Sequence, residues 1–314
     1  MLSLLPFYGL LLLLIPTPGC DGFVLPQQRQ QQVLSTSAAD VVVQTFNKNK
    51  NRRHNNVLYM GWGPEPIWSS AKLISNEVAC KSETCVSLKL ELEDVESAKE
   101  YTIPGQYIQL RLNEETKPLF LAISSAPPSK KEDDDSNNEF EFLVKKTDGN
   151  EWLTSATVGD AMEISQVLGN GFPMADEFDS FKYDFPTQNV MLFACGSGIA
   201  PIKAAMESGL LQTGRSGGRT ARLYYGVRSP EDLCFVRDFS KWEASGIEVV
   251  PVLSQPPETW PGRSGYVQNA LEEDGVIMPR NSGALLCGMK GMSESVKDLL
   301  TKSGTFEGRI LTNF

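Results

Sequence analysis

The residues best suited to chemistry in this chain begin at Cys195. Cys195-Gly196-Ser197-Gly198-Ile199-Ala200-Pro201 follows a continuous apolar run, Val190-Met191-Leu192-Phe193-Ala194. A run without polar alternation suits a strand buried on both faces. Glycines at 196 and 198 allow backbone angles closed to other residues and let a ligand come close. Pro201 suits the first turn of a helix, where its missing N–H costs nothing. The pattern predicts strand, tight turn and helix start, with helix amides turned toward an anion such as phosphate. A favourable charge contact at such a terminus contributes roughly 0.3–1 kcal/mol. Taken alone, a Gly-x-Gly reads more readily as an ordinary strand-turn-helix corner, so the surrounding elements decide.

After Phe185-Pro186 the chain alternates strands with helices. Strands are expected at 190–194, 221–227, 247–253 and 284–287, and helices at 202–211, 233–244, 267–273 and 293–302. Strand alternating with helix is the signature of a parallel sheet, and its ligand crevice lies at the carboxyl ends of the strands. Gly196, Gly226, Ser254 and Cys287-Gly288 all fall at such ends. That convergence favours a nucleotide-type site over a bare corner.

The preceding region reads differently. Apolar and polar residues alternate in Lys72-Leu73-Ile74-Ser75 and Val86-Ser87-Leu88-Lys89-Leu90-Glu91-Leu92, as in half-buried strands. Further strands are expected at 107–112, 119–123, 140–146 and 161–167, with a short helix at 151–156. Residues 130–139 are polar and charged, without an apolar pattern, and read as a surface loop. The fold class is therefore a two-domain α+β chain. An antiparallel six-stranded β-barrel (63–184) precedes an α/β parallel-sheet nucleotide-binding domain (185–314).

The chain has 314 residues and a formal net charge of −10. Residues 1–60 hold five Lys/Arg against two Asp/Glu, or +3, which leaves −13 for the rest. An acidic body argues against a nucleic-acid partner, though not against an anionic cofactor held by local donors. The six cysteines are Cys20, Cys80, Cys85, Cys195, Cys234 and Cys287, and the single histidine is His54. Cys80 and Cys85 have no second pair or histidine cluster near them in sequence. This argues against a zinc or iron–sulfur site and for one strand-end and one small buried residue.

Residues 2–15 form an apolar core interrupted only by Ser3, Pro6 and Gly9. It is short for a membrane span and suits a signal peptide (1–22), with Cys20 and Gly22 at the −3 and −1 positions before Phe23. Residues 23–62 are Gln-rich and acid-poor, like a transit peptide. The two parts together resemble the plastid presequence of algae with secondary plastids, which implies a plastid protein without a transmembrane helix in its mature body. The alternative is secretion with a disordered tail, in which case Cys80 and Cys85 are candidates for a disulfide.

Residues 70–314 resemble the ferredoxin–NADP reductase superfamily, whose members join a flavin-binding barrel to a pyridine-nucleotide domain. Four stretches carry the likeness. Gly196, Ser197, Gly198, Ile199, Ala200 and Pro201 resemble the family's pyrophosphate turn. Tyr225-Gly226-Val227-Arg228 resembles its Tyr-Gly-x-Arg strand end. Val252-Leu253-Ser254-Gln255, with Gly265-Tyr266-Val267, resembles the next strand and loop. Cys287-Gly288-Met289-Lys290-Gly291-Met292 resembles Cys-Gly-Pro-x-x-Met, with Met289 in place of proline and Met292 at the motif's end.

The resemblance implies that Cys287 lies beside the nicotinamide. Hydride transfer needs its two carbons held roughly 3–3.5 Å apart, and a small thiol packs there without taking space. The bland alternative is a buried strand-end cysteine. The flavin half is altered. The family's Arg-x-Tyr-Ser falls on Leu119-Phe120-Leu121-Ala122, before Ile123-Ser124, so the arginine, tyrosine and serine are all absent. The later Gly-x-x-Ser/Thr becomes Gly149-Asn150-Glu151-Trp152. Loss of a bidentate phosphate contact weakens FAD binding. Backbone amides of Leu153 and Thr154 are the expected substitutes, and Phe314 the aromatic cover or a plain terminal strand residue. The cofactors implied are FAD and NADP or NAD, with Arg228 favouring NADP. The function implied is a flavin-dependent NAD(P)H oxidoreductase serving a protein, quinone or small-molecule acceptor. The alternative is an NAD(P)H sensor or complex subunit with weakened flavin binding.

Overall fold

The computed structural model describes residues 65–128, 138–174, 187–214 and 218–313. The expected signal and transit segments, most of the 130–139 loop and Phe314 lie outside these residues.

The alternating stretches form six antiparallel strands: β1 (Trp68–Val78), β2 (Cys85–Leu92), β3 (Tyr107–Arg111), β4 (Leu119–Ala122), β5 (Glu139–Lys145) and β6 (Ala161–Ser165). Their order is β4-β3-β6-β1-β2-β5. A bridge from Ile123 to Phe142 brings the two edges together, so the sheet curls into a nearly closed barrel. Inward positions fill it: Leu73, Leu88, Leu90, Ile108, Leu110, Phe142 and Ile164 are fully buried. β2 shows how alternation works, because Leu88, Leu90 and Leu92 face in while Ser87, Lys89 and Glu91 do not. Two short helices, α1 (Val95–Lys99) and α2 (Glu151–Thr154), complete this half. Asp94 caps α1 by accepting from the Glu96 amide at 3.0 Å. That helix is not legible in the apolar pattern.

The second half is a wholly parallel sheet of β7 (Asn189–Cys195), β8 (Thr220–Val227), β9 (Ile247–Leu253), β10 (Arg263–Ser264), β11 (Ser282–Cys287) and β12 (Ile310–Thr312). The order is β10-β9-β8-β7-β11-β12. Helices α3 (Ile199–Glu207), α4 (Phe239–Ala244), α5 (Val267–Asp274) and α6 (Lys290–Ser303) connect the strands. β10 and β12 are additions to the expected four strands. The expected helix at 233–244 is helical only in its last part, because two 3-10 turns occupy Pro230–Asp232 and Val236–Asp238. The two faces of the sheet carry separate apolar cores, one around Ile199, Ile202 and Trp242 and the other around Val267, Val296 and Leu300. Cys80, Cys85 and Leu143 of the barrel join the first of these, so the two halves share one core. The described residues accordingly form one compact unit. No helix of the described residues is long and apolar enough to cross a membrane.

Candidate functional site

β7 starts the parallel sheet, and the chain then winds outward to β8, β9 and β10 on one side and to β11 and β12 on the other. Such a reversal opens a crevice at the strand ends. In register, Cys195 lies opposite Gly226 and Ala194 opposite Cys287. Three strand ends thus stand side by side.

The two glycines of the turn are needed for different reasons. Gly196 has φ +55° with open space beside it, so its requirement is backbone angle. Gly198 has an ordinary φ, but a Cβ there would lie 2.4 Å from the carbonyl oxygen of Cys287. Its requirement is close packing of the α3 start against the end of β11. A ligand's approach is not what fixes it.

A cavity of about 1070 Å³ lies over these strand ends. This is just above the roughly 300–1,000 Å³ range that holds a drug-sized ligand. Gly196, Ser197, Gly198, Ala200 and Pro201 form its floor. Gly226, Arg228 and Ser254 line one side, and Cys287, Gly288, Met289 and Met292 another. The opposite wall comes from the barrel and includes Leu119, Phe120, Leu121, Ala122, Leu143 and Lys145. The fold therefore brings the 119–122 strand and the 196–201 turn to one cleft.

Other expected residues stand elsewhere. Ile199 and Tyr225 are fully buried in the core behind the cleft, and the Tyr225 hydroxyl accepts from the Cys234 amide at 3.3 Å. Tyr225 therefore props the wall from behind, and burial pushes its phenol well above the ordinary range. Gln255 is exposed, with its amide on the Arg228 carbonyl at 2.8 Å. Ile123 and Leu153 fill the barrel core. Ser124 is fully buried, and its carbonyl accepts from Lys203 Nζ at 3.4 Å. Gly149 is exposed with nothing within 4 Å of a Cβ. The amides of Leu153 and Thr154 both donate to the Asn150 carbonyl at 3.0 Å, so the expected pyrophosphate donors are already engaged within their own turn. The reason is local, since α2 is one turn long and closes on Asn150.

Sequence reasoning passed over several lining residues. Asn150 is buried, with Oδ1 accepting from the Thr147 amide at 2.9 Å and Nδ2 donating to the Lys145 carbonyl at 2.8 Å. Tyr266, 57% exposed, offers an aromatic face at the cleft. Gln268 also lines it, and its Oε1 is buried without a hydrogen-bond partner. Gly265-Tyr266-Val267 was visible as a motif, whereas Asn150 and Gln268 carried no signal of their own.

The thiols around the cleft are unequal. Cys287 is pushed up to about 12, first by burial and then by Cys195 beside it, so it stays protonated near neutrality. Cys195 is raised by burial as well. Cys85 is lowered, chiefly by a hydrogen bond from Cys234, and Cys234 is raised by the same contact. Cys80, Cys85 and Cys234 are all buried, with their sulfurs within 4.8 Å of one another. Cys80 and Cys85 have no metal-ligating partner near them in sequence, but the fold brings them Cys234 from 149 positions downstream of Cys85. The described cysteines are free thiols, so the alternative Cys80–Cys85 disulfide is not formed.

Residues 192–298 match the family model described as oxidoreductase NAD-binding domain. The fruit protein pKIWI502 of Actinidia deliciosa is 34% identical over 219 residues, which are 67% of this chain and 66% of that protein. NADH-cytochrome b5 reductase 1 of Emericella nidulans is 26% identical over 219 residues, 65% of each. The chain thus spans just under two thirds of these relatives. A ferredoxin NADP+ reductase from Neisseria gonorrhoeae, solved with bound FAD and NADP, superposes with a TM-score of 0.61 at 16% identity, covering 78% of this chain and 97% of that one. That likeness is one of fold.

Proposed function

From the premise that this chain belongs to the ferredoxin–NADP reductase-like superfamily, we propose that it is an NAD(P)H oxidoreductase that works with FAD. One observation carries the reading: the barrel strand Leu119–Ala122 and the strand-end groups Gly196–Gly198 and Cys287-Gly288 line the same cleft.

The residues present fit both groups. Leu119, Leu121, Ala122 and Leu143 offer an apolar wall suited to a flat ring. No arginine stands on that strand, but Lys145, exposed at the end of β5, is a lining cation on the barrel side. On the other side the 196–198 turn suits a pyrophosphate, Tyr266 a stacked base and Arg228 a 2′-phosphate. The unpaired Gln268 Oε1 asks for a donor from a ligand. When bound, FAD supplies conversion between two-electron and one-electron transfer. The chain's own part is to hold the donor ring against the acceptor ring. Cys287, neutral and buried at the end of β11, presents a compact face there that neither competes for protons nor takes up ligand volume. The acceptor that lies beyond is a protein, a quinone or a small molecule, and the N-terminal segments address the chain to a plastid.

The test is an absorbance spectrum of the purified chain after incubation with excess FAD and desalting. Flavin bands that bleach anaerobically with NADPH faster than with NADH are the expected result. A colourless protein that still binds NADPH by calorimetry would refute the flavoenzyme and leave the nucleotide sensor or complex subunit, the reading that the missing Arg-x-Tyr-Ser favours.

A further inference from the structure

We propose that Cys80, Cys85 and Cys234 bind a single zinc ion that fastens the β1–β2 hairpin of the barrel to the loop after β8. Three segments supply the ligands. Cys80 follows β1, Cys85 opens β2 and Cys234 lies beyond Val227 at the end of β8. All three are buried and their sulfurs lie within 4.8 Å of one another. A tetrahedral zinc with Zn–S near 2.3 Å sets sulfurs about 3.8 Å apart. Each pair therefore draws in by about 1 Å at most. Three thiolates also select a soft cation over magnesium or calcium.

The surroundings are those of a built site. The Ser82 and Thr84 hydroxyls lie 3.3 and 3.5 Å from Cys80 Sγ, placed to donate to a metal-bound thiolate. The Ser82 amide donates to the Glu231 carbonyl at 2.9 Å, so hairpin and loop already touch. Tyr225 fixes the Cys234 backbone from behind. Three thiolates around a divalent ion carry a net charge of −1, and Lys145, paired in register with Cys85 across β2 and β5, is the neighbouring cation. Cys85, Cys234 and Thr84 also line the cleft, which gives an entry path. Ligand count, spacing, outer shell and access are the properties a metal site must have together. A core that needed only small apolar groups would be served by alanine or valine, without hydroxyls turned to the sulfur.

The experiment uses the full chain, purified reduced and stripped with a chelator, then titrated anaerobically with Co²⁺. The expected result is a thiolate-to-cobalt charge-transfer band that saturates at one equivalent and is abolished by one equivalent of Zn²⁺. Zinc should also shield three thiols from a thiol reagent. Cys234→Ser and, separately, Cys80→Ser should each weaken zinc by more than the roughly 10–100-fold that loss of an outer-shell partner costs, whereas Cys195→Ser keeps the band. The wild-type titration does not depend on any variant folding. Absence of a stoichiometric band overturns the proposal, as does a band that survives Cys234→Ser. A mass two hydrogens lower without reductant, showing a disulfide within the trio in the purified chain, overturns it as well.

Discussion

Lys203 offers the most discriminating test of how the two halves are joined. It sits on α3 with its side chain only 8% exposed. Its Nζ donates to Glu207 Oε2 at 3.0 Å, to Glu141 Oε2 at 3.2 Å and to the Ser124 carbonyl at 3.4 Å. Glu141 and Ser124 belong to the barrel, so this cation spans the shared core. Burial disfavours its charge, but Glu141 and Glu207 outweigh that and hold it above its ordinary value. Lys203→Met keeps the aliphatic stem and removes the charge. Breaking a buried pair costs about 3–5 kcal/mol, because the partner charge is left buried. Here Glu207 keeps Trp242 Nε1 at 3.0 Å and Lys241 at 3.2 Å, and Glu141 is 31% exposed. The lower end, about 3 kcal/mol, is therefore expected. Lys302→Met, in a pair 72% and 59% exposed, should cost under about 1 kcal/mol.

The pH dependence has a definite sign. Burial raises Glu207, but Lys203 and Trp242 pull it below its ordinary 4.5, so its contribution is present above that value and fades as pH falls. Lys203 is raised, so its contribution is present below 10.5 and fades as pH climbs past it. The deficit of the variant should be flat between these limits and shrink in acid. Urea unfolding followed by tryptophan fluorescence measures it. Adding Glu207→Gln to Lys203→Met should recover part of the loss, since of the three charges only that of the part-exposed Glu141 then remains. A loss under about 1 kcal/mol, or a double variant no more stable than the single, would refute the reasoning.

Two further outcomes follow from the cleft. Gly198→Ala places a Cβ 2.4 Å from backbone and should cost about 1–3 kcal/mol and weaken NADPH binding, read by melting and calorimetry. Gly291→Ala, with nothing within 4 Å on α6, should be neutral or stabilising by up to about 1 kcal/mol, and equal effects at the two glycines would contradict the packing argument. With Cys287 pushed up to about 12, its thiol should resist iodoacetamide at pH 8, and the rate of NADPH-driven flavin bleaching should show no thiol limb below that range. A limb near pH 8 that vanishes in Cys287→Ser would count against a neutral thiol.

The parallel-sheet side of the cleft was legible because its groups are local. Parallel strands carry ligands at their carboxyl ends, so finding β7, β8 and β11 in the sequence also finds Gly196, Gly226 and Cys287. Alternation exposed the six barrel strands for the same reason, since each strand declares its own inward face. What failed was inference from spacing to side-chain direction. Tyr225 and Gly226 are adjacent, yet only the glycine reaches the cleft, because the Tyr225 ring is committed to the core behind it, where its hydroxyl holds the Cys234 amide. Leu153 and Thr154 follow a promising glycine, yet their amides close on Asn150 because the helix is a single turn. The thiol trio was invisible for a deeper reason. Cys80 and Cys85 are brought to Cys234 only by docking the hairpin on the loop after β8, through contacts such as Ser82 to Glu231. No periodicity records that docking. Chemistry that depends on strand ends can thus be read from one chain, whereas chemistry that depends on two halves meeting must wait for the fold.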